Sequence, residues 1–309
     1  MALETKSRAI VLHTTRQGDS SLVVHVLDAA TGRQSLYLRG LGKGRNGTAT
    51  AAFHPLSVLE VVTAATPRSS LLYLREYEPV FHLNSLRTDI RKSTTAQFVC
   101  EVLWRTLRTG DGDPELFAWL AESIVALDGC PIRSGMTVAN FAAWWLVGFS
   151  ARMGFKPEDN WSEESPVFDI VSGRFQPRFG WIDEASARIS VRRDKQGPSG
   201  ESRLAGKSSP ASSFPAEWRS CLRSADSPTG SFRPREANKP EPAGTTFSDE
   251  ESLLLHQLLT ESFEKAMALP LSATRRSAFS RRMLDYLSYH LGQTLDIRSL
   301  DVLHAVFAG

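Results

Sequence analysis

Apolar residues in the first eighty positions fall into short runs, Ala9–Leu12, Leu22–Leu27, Leu36–Leu38, Val58–Val62 and Leu71–Leu74. Turn-forming residues separate them: Gln17-Gly18-Asp19, Thr31-Gly32, a glycine-rich stretch from Gly40 to Gly47, and Pro67. Five short runs rich in Val, Leu and Tyr, punctuated in this way, predict five strands in a small barrel or sandwich. After about Phe81 the period turns helical. Leu86 to Leu107 carries Ile90, Phe98, Val99, Val102 and Leu103 with no interior Pro or Gly, which predicts one helix. Asp113-Pro114, a capping acid before a first-turn proline, opens a second that ends near Leu127. Phe141, Trp144, Trp145, Gly148, Phe149 and Arg152 follow helical spacing until Gly154 and Pro157 stop it. The two tryptophans lie on that apolar stripe and read as core.

Gly180 to Thr246 changes character, with Ser, Pro, Gly and Arg prevailing over aliphatics. Such composition predicts a long disordered insert. Between Arg188 and Ala243 it carries eleven Lys/Arg against six acids. It reads either as an auxiliary nucleic-acid contact or as a solvated linker. Order returns at Ser248-Asp249-Glu250-Glu251, a capping-box spacing leading into LLLHQLLTESFEKAM, with further helices at Arg275–Leu291 and Ser299–Phe307. The expected class is α+β: a strand domain over 1–80, helices over 81–180, a flexible basic insert over 181–247 and returning helices over 248–309.

A chain of 309 residues, 41% hydrophobic and 23% charged, can bury real cores, which excludes global disorder. The net charge of +2 says little, but its distribution matters: Met1 to Arg45 has seven Lys/Arg and three acids. Cys100, Cys130 and Cys221 form no CxxC pair, so neither a zinc module nor a disulfide scaffold is expected. No apolar run reaches the ~18–20 residues of a membrane span, and the first residues lack a signal-peptide core. A soluble, cytoplasmic protein with no membrane contact is expected.

Gly42-Lys43-Gly44-Arg45-Asn46-Gly47 satisfies G-x-G-x-x-G, yet Pro55 follows after too few residues for the helix that would hold a pyrophosphate. Tyr37 and Gly44 occupy positions where a Walker A loop needs Gly and Ser/Thr. A nucleotide-dependent enzyme is therefore the weaker reading. A basic loop between barrel strands fits better, with Arg39, Lys43 and Arg45 neutralising phosphates and Arg16 and Arg33 adding charge nearby. An ordinary solvated hairpin is the plain alternative. Tyr37 shares its strand face with Arg39 and is a candidate base-stacking residue beside Phe53, Tyr73 and Tyr77. The seven histidines show no metal-ligand spacing, and no nucleophile motif is present; no catalytic residue and no cofactor is expected. Arg275, Arg276, Arg281 and Arg282 flank Phe279 on a helix with Tyr286 and Tyr289 nearby, suiting DNA, an acidic peptide tail, or simple solubility.

Strings in this order resemble the RecO family of bacterial recombination mediators. They are Ala9-Ile-Val-Leu-His13, Gly18-Asp19-Ser20-Ser21-Leu22-Val23-Val24, Gly32-Arg33-Gln34, Arg39-Gly40, Phe53-His54-Pro55-Leu56-Ser57, Phe98 to Arg105, Leu116-Phe117, Asn140-Phe141, Gly154-Phe155-Lys156-Pro157 and Arg298 to Leu303. The resemblance implies an N-terminal five-stranded OB-fold and a mostly helical C-terminal domain. It implies binding of single- and double-stranded DNA, strand annealing, and contacts with RecR and the acidic C-terminal tail of single-stranded DNA-binding protein. Together these help RecA load, without chemistry by the protein itself. It marks Arg33, Arg39, Lys43 and Arg45 as DNA contacts. Family members often carry a cysteine zinc module in the helical domain; here Asp169 and Gly173-Arg174-Phe175 stand there instead, so no metal is expected. An OB-fold module for RNA is a further alternative.

Overall fold

The computed structural model describes residues 4–18, 21–39, 52–66, 69–110, 112–130, 138–178 and 244–308. Five strands, β1 (Glu4–Gln17), β2 (Ser21–Asp28), β3 (Gly32–Arg39), β4 (Val58–Thr66) and β5 (Ser69–Pro79), close into a barrel in the order β1-β2-β3-β5-β4. β1 pairs antiparallel with both β2 and β4, while β3 meets β5 in parallel, so no strand is left as an open edge. This is the OB-fold barrel expected from the resemblance. Period-two alternation explains it: Ala9, Val11, Leu22, Val24, Val26, Leu36, Leu59, Val61 and Leu74 turn inward and are buried together.

β1 feeds two cores at once. Ala9 and Val11 fill the barrel, whereas Ile10 and Leu12 belong with Leu27, Leu56 and Val58 to the core of the helical part. A register shift between Val11 and His13 makes room for this, and the turn before β4 docks there through Leu56 N–H to the Val11 carbonyl (2.8 Å).

The helices are α1 (Asn84–Thr88), α2 (Ile90–Thr106), α3 (Pro114–Gly129), α4 (Phe141–Arg152), α5 (Asp249–Thr260), α6 (Phe263–Ala268), α7 (Ala273–Leu291) and α8 (Ser299–Ala308). Asp113 and Ser248 with Glu251 cap α3 and α5 as their spacing predicts, and Ser272, which the sequence reading did not single out, caps α7. Two expected helices are broken. Leu86 to Leu107 divides at Asp89, whose carboxylate accepts from the Arg91 and Lys92 amides and starts α2 afresh. The run after Ser248 divides at Ser262, which caps α6 through the Lys265 amide. In both places a polar cap outcompetes an uninterrupted apolar pattern. α4 is central: Trp145 and Phe149 are fully buried, and a Cβ on Gly148 would lie 2.7 Å from the Trp119 ring. Trp144 is only half-buried and packs on Phe263.

A small hairpin, β6 (Val167–Asp169) with β7 (Arg174–Gln176), went unread in the sequence. Its Phe168 and Phe175 pack with Phe247 and Tyr286. Residues 244–247, assigned from sequence to the insert, instead extend this hairpin, with Phe247 buried and its amide bonded to the Phe168 carbonyl (2.9 Å). The remainder of the predicted insert and Cys221 lie outside the described residues.

Hydrogen bonds and a close backbone approach join barrel and helices. The Asp28 carboxylate accepts from Ser7 Oγ (2.5 Å), the Ala30 and Thr31 amides and Thr31 Oγ1, shaping the β2–β3 turn. The Arg33 amide then donates to the Arg108 carbonyl (3.1 Å), and Gly110 to that of Thr31 (3.0 Å). Gly112 is obligatory here, because a Cβ would fall 2.0 Å from the Ala30 oxygen.

Candidate nucleic-acid interface

The outward positions of β3 are Arg33, Ser35, Tyr37 and Arg39, alternating with the buried Leu36. Register carries each row onto the neighbouring strands. Tyr37 lies beside Val23 and Thr15 on one side and Tyr73 on the other; Ser35 lies beside His25 and His13; Arg39 lies beside Ser21 and Gln17. Tyr37 and Arg39 therefore share one surface, as expected from their spacing, and Arg33 lies on the same side of β3. None of the ten outward positions of β1, β2 and β3 from His13 to Arg39 named in this paragraph is Asp or Glu.

Tyr37 donates to Ser21 Oγ (2.9 Å) and meets Tyr73 edge to face at 5.6 Å. The Ser21 bond, with help from Arg39 and against burial, holds its phenol below the ordinary tyrosine range. Two aromatic rings beside a guanidinium on an open strand face can stack bases while a cation takes the adjoining phosphate. The other two barrel aromatics are excluded from this role. Phe53 is buried in the barrel interior, and Tyr77 packs on it at 4.7 Å.

Arg33 differs from Arg39. Its Nη1 donates to the Trp104 carbonyl in the last turn of α2 (2.6 Å), and its guanidinium sits 4.1 Å over the Trp104 ring. It ties barrel to helix before it can serve any ligand. Trp104 also meets His25 at 5.1 Å and His13 at 6.5 Å, so the tyrosine pair gives way to a second aromatic group at the joint. Sequence reading missed this group. Trp104 stands 71 residues from Arg33, and no local spacing links them.

Arg16 is exposed but shares its row with Leu22 and Leu38, the opposite parity from Tyr37 and Arg39, at the barrel mouth. Lys43, Arg45 and the whole Gly42–Gly47 motif lie outside the described residues.

The α7 arginines are already engaged. Arg275 pairs with Glu250 (3.1 Å) and Arg281 with Asp301 (2.5 Å). Arg276 donates to the Leu271 and Phe307 carbonyls, and Arg282 reaches Asp285 (3.4 Å) and the Thr246 carbonyl. Tyr286 is buried and bonds the Phe155 carbonyl (3.1 Å), so it is unavailable to a partner. Any ligand of this helix must displace internal contacts first.

Two family models match the chain: Recombination protein O N terminal over residues 1–82, and Recombination protein O C terminal over 87–162. The DNA repair protein RecO of Phocaeicola vulgatus is 31% identical over 170 residues, covering 55% of this chain and 69% of that protein. This chain belongs to the RecO family. The RecO of Azobacteroides pseudotrichonymphae is 21% identical over 303 residues, 98% of both chains, and that of Porphyromonas gingivalis is 28% identical over 175 residues. The RecO N-terminal match takes in the whole barrel face, and the C-terminal match supplies Trp104. The α7 arginines lie beyond both models. The zinc module that family resemblance brings does not fit this RecO-family chain: the hairpin region is packed by Phe168, Phe175 and Phe247. Among the described residues no set of three His, Cys, Asp or Glu side chains is placed to hold a metal, and no helix is long and apolar enough to cross a membrane.

Proposed function

We propose that this protein acts in DNA repair and recombination by holding single-stranded DNA along the outward face of β1, β2 and β3. One observation carries the reading. Tyr37, Tyr73 and Arg39 line an open sheet face whose outward positions on β1, β2 and β3 from His13 to Arg39 carry no carboxylate, on a barrel architecture whose β2–β3 face commonly takes oligonucleotides. Lys43 and Arg45, which follow Arg39 in the sequence, and Arg16 at the mouth add positive charge. Cationic contacts of this kind position a phosphate chain without reading sequence, so duplex and single strand are both ligands and complementary strands can be brought together. In this reading the protein is a mediator, not an enzyme, and needs no cofactor. It works in the cytoplasm with RecR and the acidic tail of single-stranded DNA-binding protein to help RecA load. The α7 arginines are a subordinate contact because each already has a partner.

Annealing of short complementary strands across a salt series tests this. The protein should speed annealing without ATP or NAD. Arg39→Ala with Lys43→Ala and Arg45→Ala should flatten the log–log salt slope of single-strand binding by about 2, at ~0.7 per lost phosphate contact. Consumption of a nucleotide, or an unchanged slope, would overturn it.

A further inference from the structure

His13, His25 and Arg33 form a positively charged or protonatable triad beside the tyrosine pair, at the α2 end of the face just described. The histidine rings are 5.3 Å apart, and Trp104 packs against both. Their hydrogen-bond partners are neutral: Thr15 for His13, Ser35 for His25, and the Trp104 carbonyl for Arg33. Among the described residues none of the three makes an ion pair. Elsewhere exposed cations find carboxylates readily, as Arg174, Arg178 and Arg281 do. Three such groups left without one among the described residues, on a partly open surface tiled by flat rings, form a site suited to an anion.

The position fits one class of anion. The Ser35–His25–His13 row lies two residues along from the Tyr37 row, or about 7 Å at strand rise, on the same outward face. A polynucleotide stacked on Tyr37 and Tyr73 and running toward α2 meets the histidines next. We propose that His13, His25, Arg33 and Trp104 form a proton-coupled second subsite for single-stranded DNA, taking a phosphate at the histidines with its base against the exposed His13 ring. This rests on the reading of the neighbouring face as the DNA-binding surface.

The coupling has a direction. Burial, then the charges of His13 and Arg33, hold the His25 imidazole below its usual range. Those are the titratable and charged groups facing it, from β1 and β3; α2 contributes Trp104. A phosphate arriving there favours the protonated ring, so binding takes up a proton and tightens as pH falls through the histidine range.

The test is fluorescence anisotropy of the full chain with an oligothymidylate of roughly 15 nucleotides. Ionic strength is held constant between about pH 5.5 and about pH 8, where thymine does not titrate. Affinity should rise toward low pH, approaching about tenfold per unit where one proton is taken up. His13→Gln with His25→Gln should flatten that rise, while Arg39→Ala should weaken binding at every pH and keep it. A flat wild-type profile, or a rise that survives in the double variant, overturns the subsite and leaves the barrel-face reading standing. Failure of the wild type to bind at any pH overturns both. Should the double variant unfold, ring-proton NMR of the wild-type histidines decides: their titration midpoints must move up on adding the oligonucleotide, and unmoved midpoints refute the proposal.

Discussion

On one side of the barrel the outward rows of β1, β2 and β3 present His13, His25, Arg33, Tyr37 and Arg39, with Tyr73 from β5. On the other side those of β1, β4 and β5 present Glu4, Lys6, Arg8, Glu60, Glu76 and Glu78. The two share β1 and one interior, so burial cannot distinguish them. Their charge can. Lys6 is bound to Glu60, and that bond, the Glu60 charge and the nearby Glu78 and Glu76 raise its pKa above the usual lysine range. Carboxylates outnumber cations there, and a phosphate chain is repelled. A closed barrel has outward residues all round, and among the described residues this one gathers Tyr37, Tyr73, His13 and His25 on one side and its outward carboxylates on the other. In the proposed function, that asymmetry and not the fold orients the nucleic acid.

Removing the shared interior should abolish the contrast. Leu59 is fully buried within the barrel. Leu59→Ala should lower unfolding free energy by about 2–5 kcal/mol in denaturant titration, with both faces lost together. Arg39→Glu gives the binding face the character of its opposite: single-strand affinity at low salt should fall about a hundredfold, with a slope reduced by ~0.7 or more. Tyr73→Ala should weaken binding about tenfold, within the ~1–3 kcal/mol of a base–aromatic stack, and leave the salt slope unchanged. The smallest effect sharpens the comparison from the other side: Glu76→Gln with Glu78→Gln should tighten binding by about threefold or less, and a larger gain would mean DNA crosses the acidic face.

Acid must be used with care in such experiments, because the helical part has its own titration. Glu101 on α2 accepts from Ser299 Oγ (2.5 Å) and from the Ser299 and Arg298 amides at the start of α8. Burial alone would raise its carboxyl, but these bonds and the nearby Arg105 outweigh it and leave the pKa below the usual glutamate range. Its contribution is therefore present above the unfolded-state pKa and is lost as pH falls through the lower folded value. Thermal melts should show that loss below about pH 4.5, Glu101→Gln should remove it, and the histidine range above should be untouched.

The sequence was enough to predict a five-stranded β domain, the helical remainder, two helix caps and the shared side of Tyr37 and Arg39, because alternation and capping are local rules acting over a few residues. It determined the resemblance that family membership bears out. It could not divide the helices at Asp89 and Ser262, where an apolar pattern ran on and only hydrogen bonding showed the break. It could not separate Phe53 and Tyr77, which are packed inward, from Tyr37 and Tyr73, since strand parity is set by register with neighbours. The joint of Arg33 with Trp104, the gathering of His13 and His25 around them, and the partners that occupy the α7 arginines were decided by tertiary packing alone. Those contacts join residues tens of positions apart, and their geometry exists only once two cores have closed around β1.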